Sequence, residues 1–442
     1  MFKKKTMATG AIIVAFAAGS LGLTACSSDA TVSEGASDKT TVNWWSWDPD
    51  NSNYQAWVDA FEAENPDIDL KFRFIQYSDY ENAVRLAAKS DSGPDVFGIE
   101  PGAMSEQFAP LTLDLTTLAE EEIGADWQDQ LLGTDQLAVE GKQVSLPWKL
   151  GGGGLIWYNK NILDAAGATP PTNLAEWKDM CAKVEAQGVT CFVHGAKDDW
   201  VNLDVFQAIA NQIDPGAIYA AFDGEKKFNT PDMVSAFDAW KGLFDEGIIQ
   251  PGALGMTQYP DANDAMSKGE AASIAFGTWH NDHMTKARLA GSVETYGPDI
   301  VNQVFLPIAF PDVVGGAQET GRLFGAPAGW AISSKSKQQE AAFTFVKWFT
   351  TSETAQSMIA SALNQPALAS MPVTSDDLVA PELQQPALDE QAKQFANLIG
   401  PRQISNADVA SALGQALSAV ASDQMSSKDA AASVQAAIDG AK

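Results

Sequence analysis

The sequence has little of what metal and thiol chemistry draws on, with three histidines and three cysteines among its 442 residues. A zinc site takes three or four His, Cys or carboxylate ligands held close together. His280 and His283 stand three apart while His194 is distant, so neither a metal site nor a cofactor is expected. Positive charge is scarce as well. The 28 Lys and Arg face 57 Asp and Glu, giving a net charge of −29, and no basic cluster follows Lys5. Such a polyanion repels phosphate backbones, which excludes nucleic acid as an expected partner. The apolar stretch 11–23 (AIIVAFAAGSLGL) is shorter than the ~20 residues of a usual membrane-spanning helix. What the chain does have is core material. It is 45% apolar and 19% charged, the balance of a folded chain. At ~150 residues per domain, its length predicts two or three domains.

The chain opens like a targeting segment. Lys3, Lys4 and Lys5 precede the apolar stretch, and Leu23-Thr24-Ala25-Cys26 is followed by the polar run 27–40. That tetrapeptide resembles a bacterial lipobox, at which a cysteine is diacylated and becomes residue one after cleavage. The prediction is a signal peptide over 1–25, a lipidated Cys26 and a flexible tether over 26–39. Two acyl chains, at ~0.8 kcal/mol per buried CH2, make a stable anchor, which places the protein on the outer face of a bacterial cytoplasmic membrane. An ordinary secretory leader with an incidental cysteine is the alternative. Outside the cell, Cys181 and Cys191 are expected to pair as a disulfide, the other reading being two buried free thiols.

The body alternates strands with helices. Residues 41–45 (TVNWW) read as a strand, the turn Asp48-Pro49-Asp50-Asn51 follows, and Ala56, Trp57, Ala60 and Phe61 mark a helix. Residues 69–75 and 96–99 are further strand candidates, with a helix over 80–89 between them. This βαβαβ order predicts a mainly parallel sheet covered by helices. Ligands sit outside the carboxyl ends of such strands, which puts Trp47, Asp48 and Glu100 at a cleft. The four glycines 151–154 lead into a strand at 155–158 and not into a helix, so they are no phosphate loop but backbone near a domain crossing. Helices are predicted over 161–166, around Leu174, Trp177 and Met180, over 233–244, over 341–349 and within the Ala- and Gln-rich residues 378–442.

Five stretches, in this order, carry a family resemblance: WWSW with the helix ending Phe61-x-x-x-Asn65-Pro66; Gly93-Pro94-Asp95-Val96; LIWYNKNILDAAGATPPTNLAEW; MSKGEAASIAFGTW; and 327–336 with AAFTFVKWFTTSETAQ. Over residues 40–370 the chain is similar to the extracellular solute-binding proteins of family 1, the sugar receptors of ATP-binding-cassette importers. Ser273 stands where the family usually has methionine, and the C-terminal seventy residues carry none of its motifs. The resemblance implies an α/β fold of two lobes that close like a hinge on ligand. It would divide the chain into lobe one, 40–147 plus 322–365, and lobe two, 150–312 plus 368–442. Gly151–Gly154, Gly315-Gly316 and Asn364-Gln365-Pro366 would lie near the crossings. It also implies an oligosaccharide of two to four units, the membrane permease of the importer as partner, a monomer, and no chemistry on the ligand.

A sugar offers flat C–H faces and a ring of hydroxyls, so its receptor needs aromatic platforms and fixed hydrogen-bonding groups. Most of the thirteen tryptophans are expected in the core, among them Trp44, Trp57, Trp177, Trp240 and Trp348. Trp47, Trp148, Trp200, Trp279 and Trp330 lie beside polar or turn residues and are the candidate platforms. By resemblance, the segment around Trp279 supplies a stacking aromatic from lobe two. Asp48, Glu100 and Lys149 are the candidate charged partners for hydroxyls, with His280, Asn281, Asn364 and Gln365 in support.

Three other readings compete. A glycoside hydrolase needs paired carboxylates, and 57 acids make some pair inevitable. Asp48-x-Asp50-x-Ser52 is similar to the start of a calcium loop, yet Pro49 lies inside it and Asn53 replaces the turn glycine. A peptide or cationic amine is the strongest competitor, since Asp48 and Glu100 could pair an amine.

Overall fold

The computed structural model describes residues 39–441 except 91, 318–321 and 375. The signal segment, Cys26 and all of the tether but its last residue lie outside the described residues. No helix among the described residues is long and apolar enough to cross a membrane.

In chain order the strands are β1 (Thr40–Ser46), β2 (Ile68–Phe74), β3 (Val96–Ile99), β4 (Ala138–Val139), β5 (Lys142–Gln143), β6 (Leu146–Gly153), β7 (Leu155–Asn159), β8 (Thr190–Val193), β9 (Ala271–Phe276), β10 (Phe305–Ala309), β11 (Phe324–Ile332) and β12 (Gln365–Pro366). They build a six-stranded sheet ordered β12-β6-β11-β3-β1-β2 and a four-stranded sheet ordered β10-β7-β9-β8, with β4 and β5 as a separate short ladder. Each large sheet anchors one lobe of an α/β fold.

β1 alternates, with Val42, Trp44 and Ser46 turned inward, whereas β3 and β11 are buried at every position because helices cover both faces. The first lobe's core joins Trp44, Trp57, Phe61, Trp148, Trp330, Phe345 and Phe349. Trp57, Phe61 and Val58 form the buried stripe of the helix Tyr54–Glu64. In the second lobe Trp177 and Trp240 are fully buried, and Trp240 Nε1 donates to Leu417 O at 3.0 Å, tying the helix Pro231–Asp245 to the helix Ala407–Ala421. Cys181, on the helix Leu174–Glu185, is disulfide-bonded to Cys191 on β8.

In the six-stranded sheet the expectation of mainly parallel pairing holds for β2-β1-β3, and in the four-stranded sheet β8 and β9 alone pair parallel. β11 runs antiparallel to β3 and to β6, and β12 runs antiparallel to β6. The reason is connectivity: β6 carries the chain out of one sheet and β11 brings it back, so the two neighbours must run in opposite directions. Between β6 and β7 stands Gly154 alone, with φ +95°, where a Cβ would come within 2.9 Å of the Phe324 ring. Only glycine fits that passage without strain.

A C-terminal strap, residues 398–404, lies along the start of β11. Gly325 N donates to Gly400 O and Arg402 N to Gly325 O, while Ala103 N from the first lobe donates to Ile404 O. From the second lobe Gln207 Nε2 donates to Arg402 O at 3.0 Å, so one short segment holds both lobes.

His194 is fully buried between Phe192 and Trp240, with Nε2 2.9 Å from Asn202 Oδ1. Burial pushes its pKa down to about 4, against the raising effect of Asn202. Above pH ~6.5 the group is neutral folded or unfolded and does nothing to stability. As pH falls from there to about 4, the unfolded chain takes a proton that the folded one refuses, so up to about 3 kcal/mol is lost. Asp204, which burial pushes up to about 6 against the pull of Arg402, has the opposite sign in the same window. The measurement is therefore a difference: denaturation at pH 7 and pH 4.5 should show wild type losing more stability than His194→Gln, and equal losses would refute the assignment.

Candidate functional site

The turn after β1 is fastened within itself. Asp48 N donates to Ser46 Oγ, and the Asp50 carboxylate accepts from Ser52 N at 2.8 Å and Ser52 Oγ at 2.6 Å. This fixes Trp47, Asp48 and Asp50 at the carboxyl end of the strand, where Glu100 follows β3 in the same way. Opposite, the second lobe presents a 3-10 turn, Thr278–Met284, whose Thr278 Oγ1 accepts from Gly152 N at 2.9 Å.

Between these walls lies a cavity of about 450 Å³, within the range of ligand sites. Seven Phe, Tyr and Trp rings line it: Trp47, Phe74, Tyr77, Trp200, Tyr259, Trp279 and Tyr296. Five of them form a continuous set. Trp47 meets Tyr77 edge-on at 5.4 Å, Tyr77 meets Trp200 at 5.7 Å, and Trp200 stacks on Tyr259 and meets Trp279, both at 6.0 Å. The buried Trp200 Nε1 and His280 Nε2 have no hydrogen-bond partner among the described residues.

The charged groups on the wall come in pairs. Lys149, buried on β6, bonds the Asp48 carboxylate and lies over the Trp148 ring. Arg288, on the helix Lys286–Gly291 of the second lobe, reaches across to Asp50 at 2.8 Å and Ser52 Oγ at 2.5 Å. It also holds Asp282 at 3.2 Å, and Asp282 Oδ1 is 2.7 Å from His283 Nδ1. Burial pushes the Asp282 carboxyl up, but His283 and Arg288 overcome this and hold it well below the usual carboxylate range. Arg402 makes a second crossing, to Glu100 at 3.2 Å and Asp204 at 2.9 Å. Tyr77 O–H and Gln403 Nε2 donate to the other Glu100 oxygen at 2.6 and 2.8 Å. Burial, and next the charge of His283, hold His280 well below its ordinary pKa.

Of the residues singled out from sequence, Trp47, Asp48, Glu100, Lys149, Trp200, Trp279 and His280 meet at this cavity. Asn364 lines a small side pocket with Asp48, Lys149, Trp148 and Trp279, and its buried Oδ1 has no partner among the described residues. Four placements need correcting. Trp330 is fully buried in the first lobe's core, stacked on Trp148 at 5.2 Å, and Trp148 is itself 4% exposed, so neither offers a platform. Both side chains point inward because β6 and β11 are central strands with covered faces. Asn281 is spent on Leu363 O and Gln391 Oε1, and Gln365 Nε2 bonds Pro366 O; neither lines the cavity.

Sequence reasoning missed Tyr77, Tyr259, Asp282, Arg288 and Arg402. Asp282 ends the very segment singled out for Trp279. The arginines had a signal too, being two of only five in the chain, with Arg73, Arg85 and Arg322. Arg402 sits where no family motif guides the eye. Among the described residues no group of three or more His, Cys, Asp or Glu could hold a metal ion.

A model of the bacterial extracellular solute-binding protein family matches residues 44–356. A maltotriose-binding protein of Pyrococcus abyssi is 25% identical over 351 residues, 75% of this chain and 69% of that protein. A putative binding protein of Brucella abortus is 24% identical over 217 residues, 49% of this chain; the match spans about half of that relative, 52%. Among solved structures, an ABC substrate-binding protein of Listeria monocytogenes in complex with cycloalternan superimposes with a TM-score of 0.71 at 18% identity, covering 91% of this chain and 99% of that one. A chitin oligosaccharide binding protein gives 0.70 at 19% identity, with 91% and 99% covered.

Proposed function

Because the chain belongs to the bacterial extracellular solute-binding protein family, we propose that it captures an oligosaccharide of two to four units in the cavity and delivers it to the permease of an ABC importer. The aromatic rings facing one cavity between two lobes carry this reading. Aromatic faces match the C–H faces of sugar rings, and the polar atoms between them match hydroxyls. Lobe one, 40–147 plus 322–365, and lobe two, 150–312 plus 368–442, close on the ligand as a monomer, and diacylated Cys26 holds the receptor at the outer face of the membrane. The ligand leaves chemically unchanged.

A cationic amine or peptide is the poorer occupant. Each carboxylate lining the cavity already has a cation: Asp48 has Lys149, Asp50 and Asp282 have Arg288, Glu100 has Arg402, and Asp264 has Lys268 at 3.2 Å.

Thermal-shift measurements on the mature protein against di- to tetrasaccharides, with amino acids, peptides and polyamines alongside, test this. Ligand at 100 times its dissociation constant should add about 2.7 kcal/mol. A clear shift with one glycosidic linkage is expected; a shift with a peptide or amine alone would overturn the ligand class.

A further inference from the structure

We propose that Arg402 sets the charge selectivity of the cleft, making its Glu100 end admit uncharged, hydroxyl-rich ligands and refuse cations. This rests on the reading of the cavity as a saccharide site. Arg402 comes from the C-terminal strap, outside the stretches that carry the family's motifs, and is 7% exposed. Its Nε bonds both Asp204 oxygens at 2.9 and 3.0 Å, its Nη1 bonds Glu100 at 3.2 Å, and its guanidinium lies over the Trp279 ring at 4.5 Å. Asp204 lies behind the wall and does not line the cavity, whereas Glu100 does.

Apart from Arg402, the Glu100 carboxylate has only neutral donors among the described residues, the Tyr77 hydroxyl and the Gln403 amide. Without the guanidinium this end of the cavity would be a carboxylate beside Tyr77, Trp200 and Trp279, which is the arrangement that holds amines through charge and cation–π contact. In a chain of net charge −29 the long-range field adds to that attraction. Arg402 removes the charge and occupies the ring face at once. Arg402 itself lines the cavity. Glu100 follows β3 of the first lobe, while Arg402 is held by the Asp204 carboxylate of the second and, through its backbone N–H, by Gly325 O of β11.

The test compares wild type, Arg402→Lys, Arg402→Met and the double variant Arg402→Met with Asp204→Asn, by calorimetry with spermidine and with whichever uncharged di- to tetrasaccharide shifts wild type. The double variant guards against misfolding, because it removes the buried carboxylate that Arg402→Met would strand and leaves Glu100 as the exposed acid. Both Met variants should bind spermidine at least about tenfold more tightly than wild type, with an affinity that falls as salt rises. Arg402→Lys should bind it no better than wild type. No gain in spermidine affinity in either Met variant would overturn the proposal, whatever happens to saccharide binding. If no uncharged saccharide binds wild type and the spermidine gain still appears, the saccharide reading falls and the charge gate stands.

Discussion

Trp330→Ala should cost about 3–5 kcal/mol of stability and leave ligand affinity within about twofold of wild type. The residue is fully buried near the C-terminal end of β11. It stacks on Trp148 with ring planes 11° apart, meets Trp44 edge-on at 5.3 Å and meets Phe349 at 5.2 Å. Removing the indole from this group leaves a cavity among rings too large to collapse into it, and the transfer and cavity terms add. The cavity that faces the second lobe is lined by the same strand at Ala326, Pro327 and Ala328 and not at Trp330, so the binding surface stays intact. Chemical denaturation and titration calorimetry on one preparation read both quantities. Near-native stability with lost binding would return Trp330 to the cleft, where the turn residues Pro327 and Gly329 before it in the sequence had suggested it.

Gly277→Ala should weaken ligand binding by about tenfold or more through a single methyl group. Gly277 is extended, with φ −108° and ψ −165°, so alanine meets no backbone strain there. Space is the obstacle. A Cβ would fall 2.1 Å from the Trp279 ring and 2.3 Å from the carbonyl oxygen of Gly152. A ring can turn aside, but a backbone oxygen in β6 cannot, and the turn is pinned on both sides. Trp157 Nε1 donates to Gly277 O at 3.1 Å, and Gly152 N donates to Thr278 Oγ1. The methyl group must therefore displace Trp279, move the turn away from β6, or both, and either change alters the wall that carries Trp279, His280 and Asp282. Calorimetry combined with tryptophan fluorescence would detect it, and unchanged affinity would show that the Trp279 wall does not hold ligand.

Much of the fold was legible because it is local. The strand after the tether, the helix bearing Trp57 and Phe61, the strand at 96–99 and the helix around Phe345 all stand where periodicity put them, since alternation and the helical stripe reflect one covered face. The failures share a cause. Trp148 and Trp330 have polar or turn neighbours in sequence, but a strand covered on both faces buries residues of either parity, so neighbours along the chain say nothing about exposure. The sheet's mixed direction was equally hidden, because direction depends on which strands leave the lobe and which return.

By itself the sequence determined the family, the alternation of strands and helices, the pairing candidates Cys181 and Cys191, and four rings and charges at strand ends that do meet at the cavity: Trp47, Asp48, Glu100 and Trp279. Those properties are set by short-range patterning. The tertiary structure alone decided that Arg288 meets Asp50, 238 residues away, that Arg402 meets Glu100, 302 residues away, and that the acids along the wall are already neutralised. Charge pairing depends on distance in space, and two lobes brought together by hinge passages place at contact groups that no spacing along the chain relates.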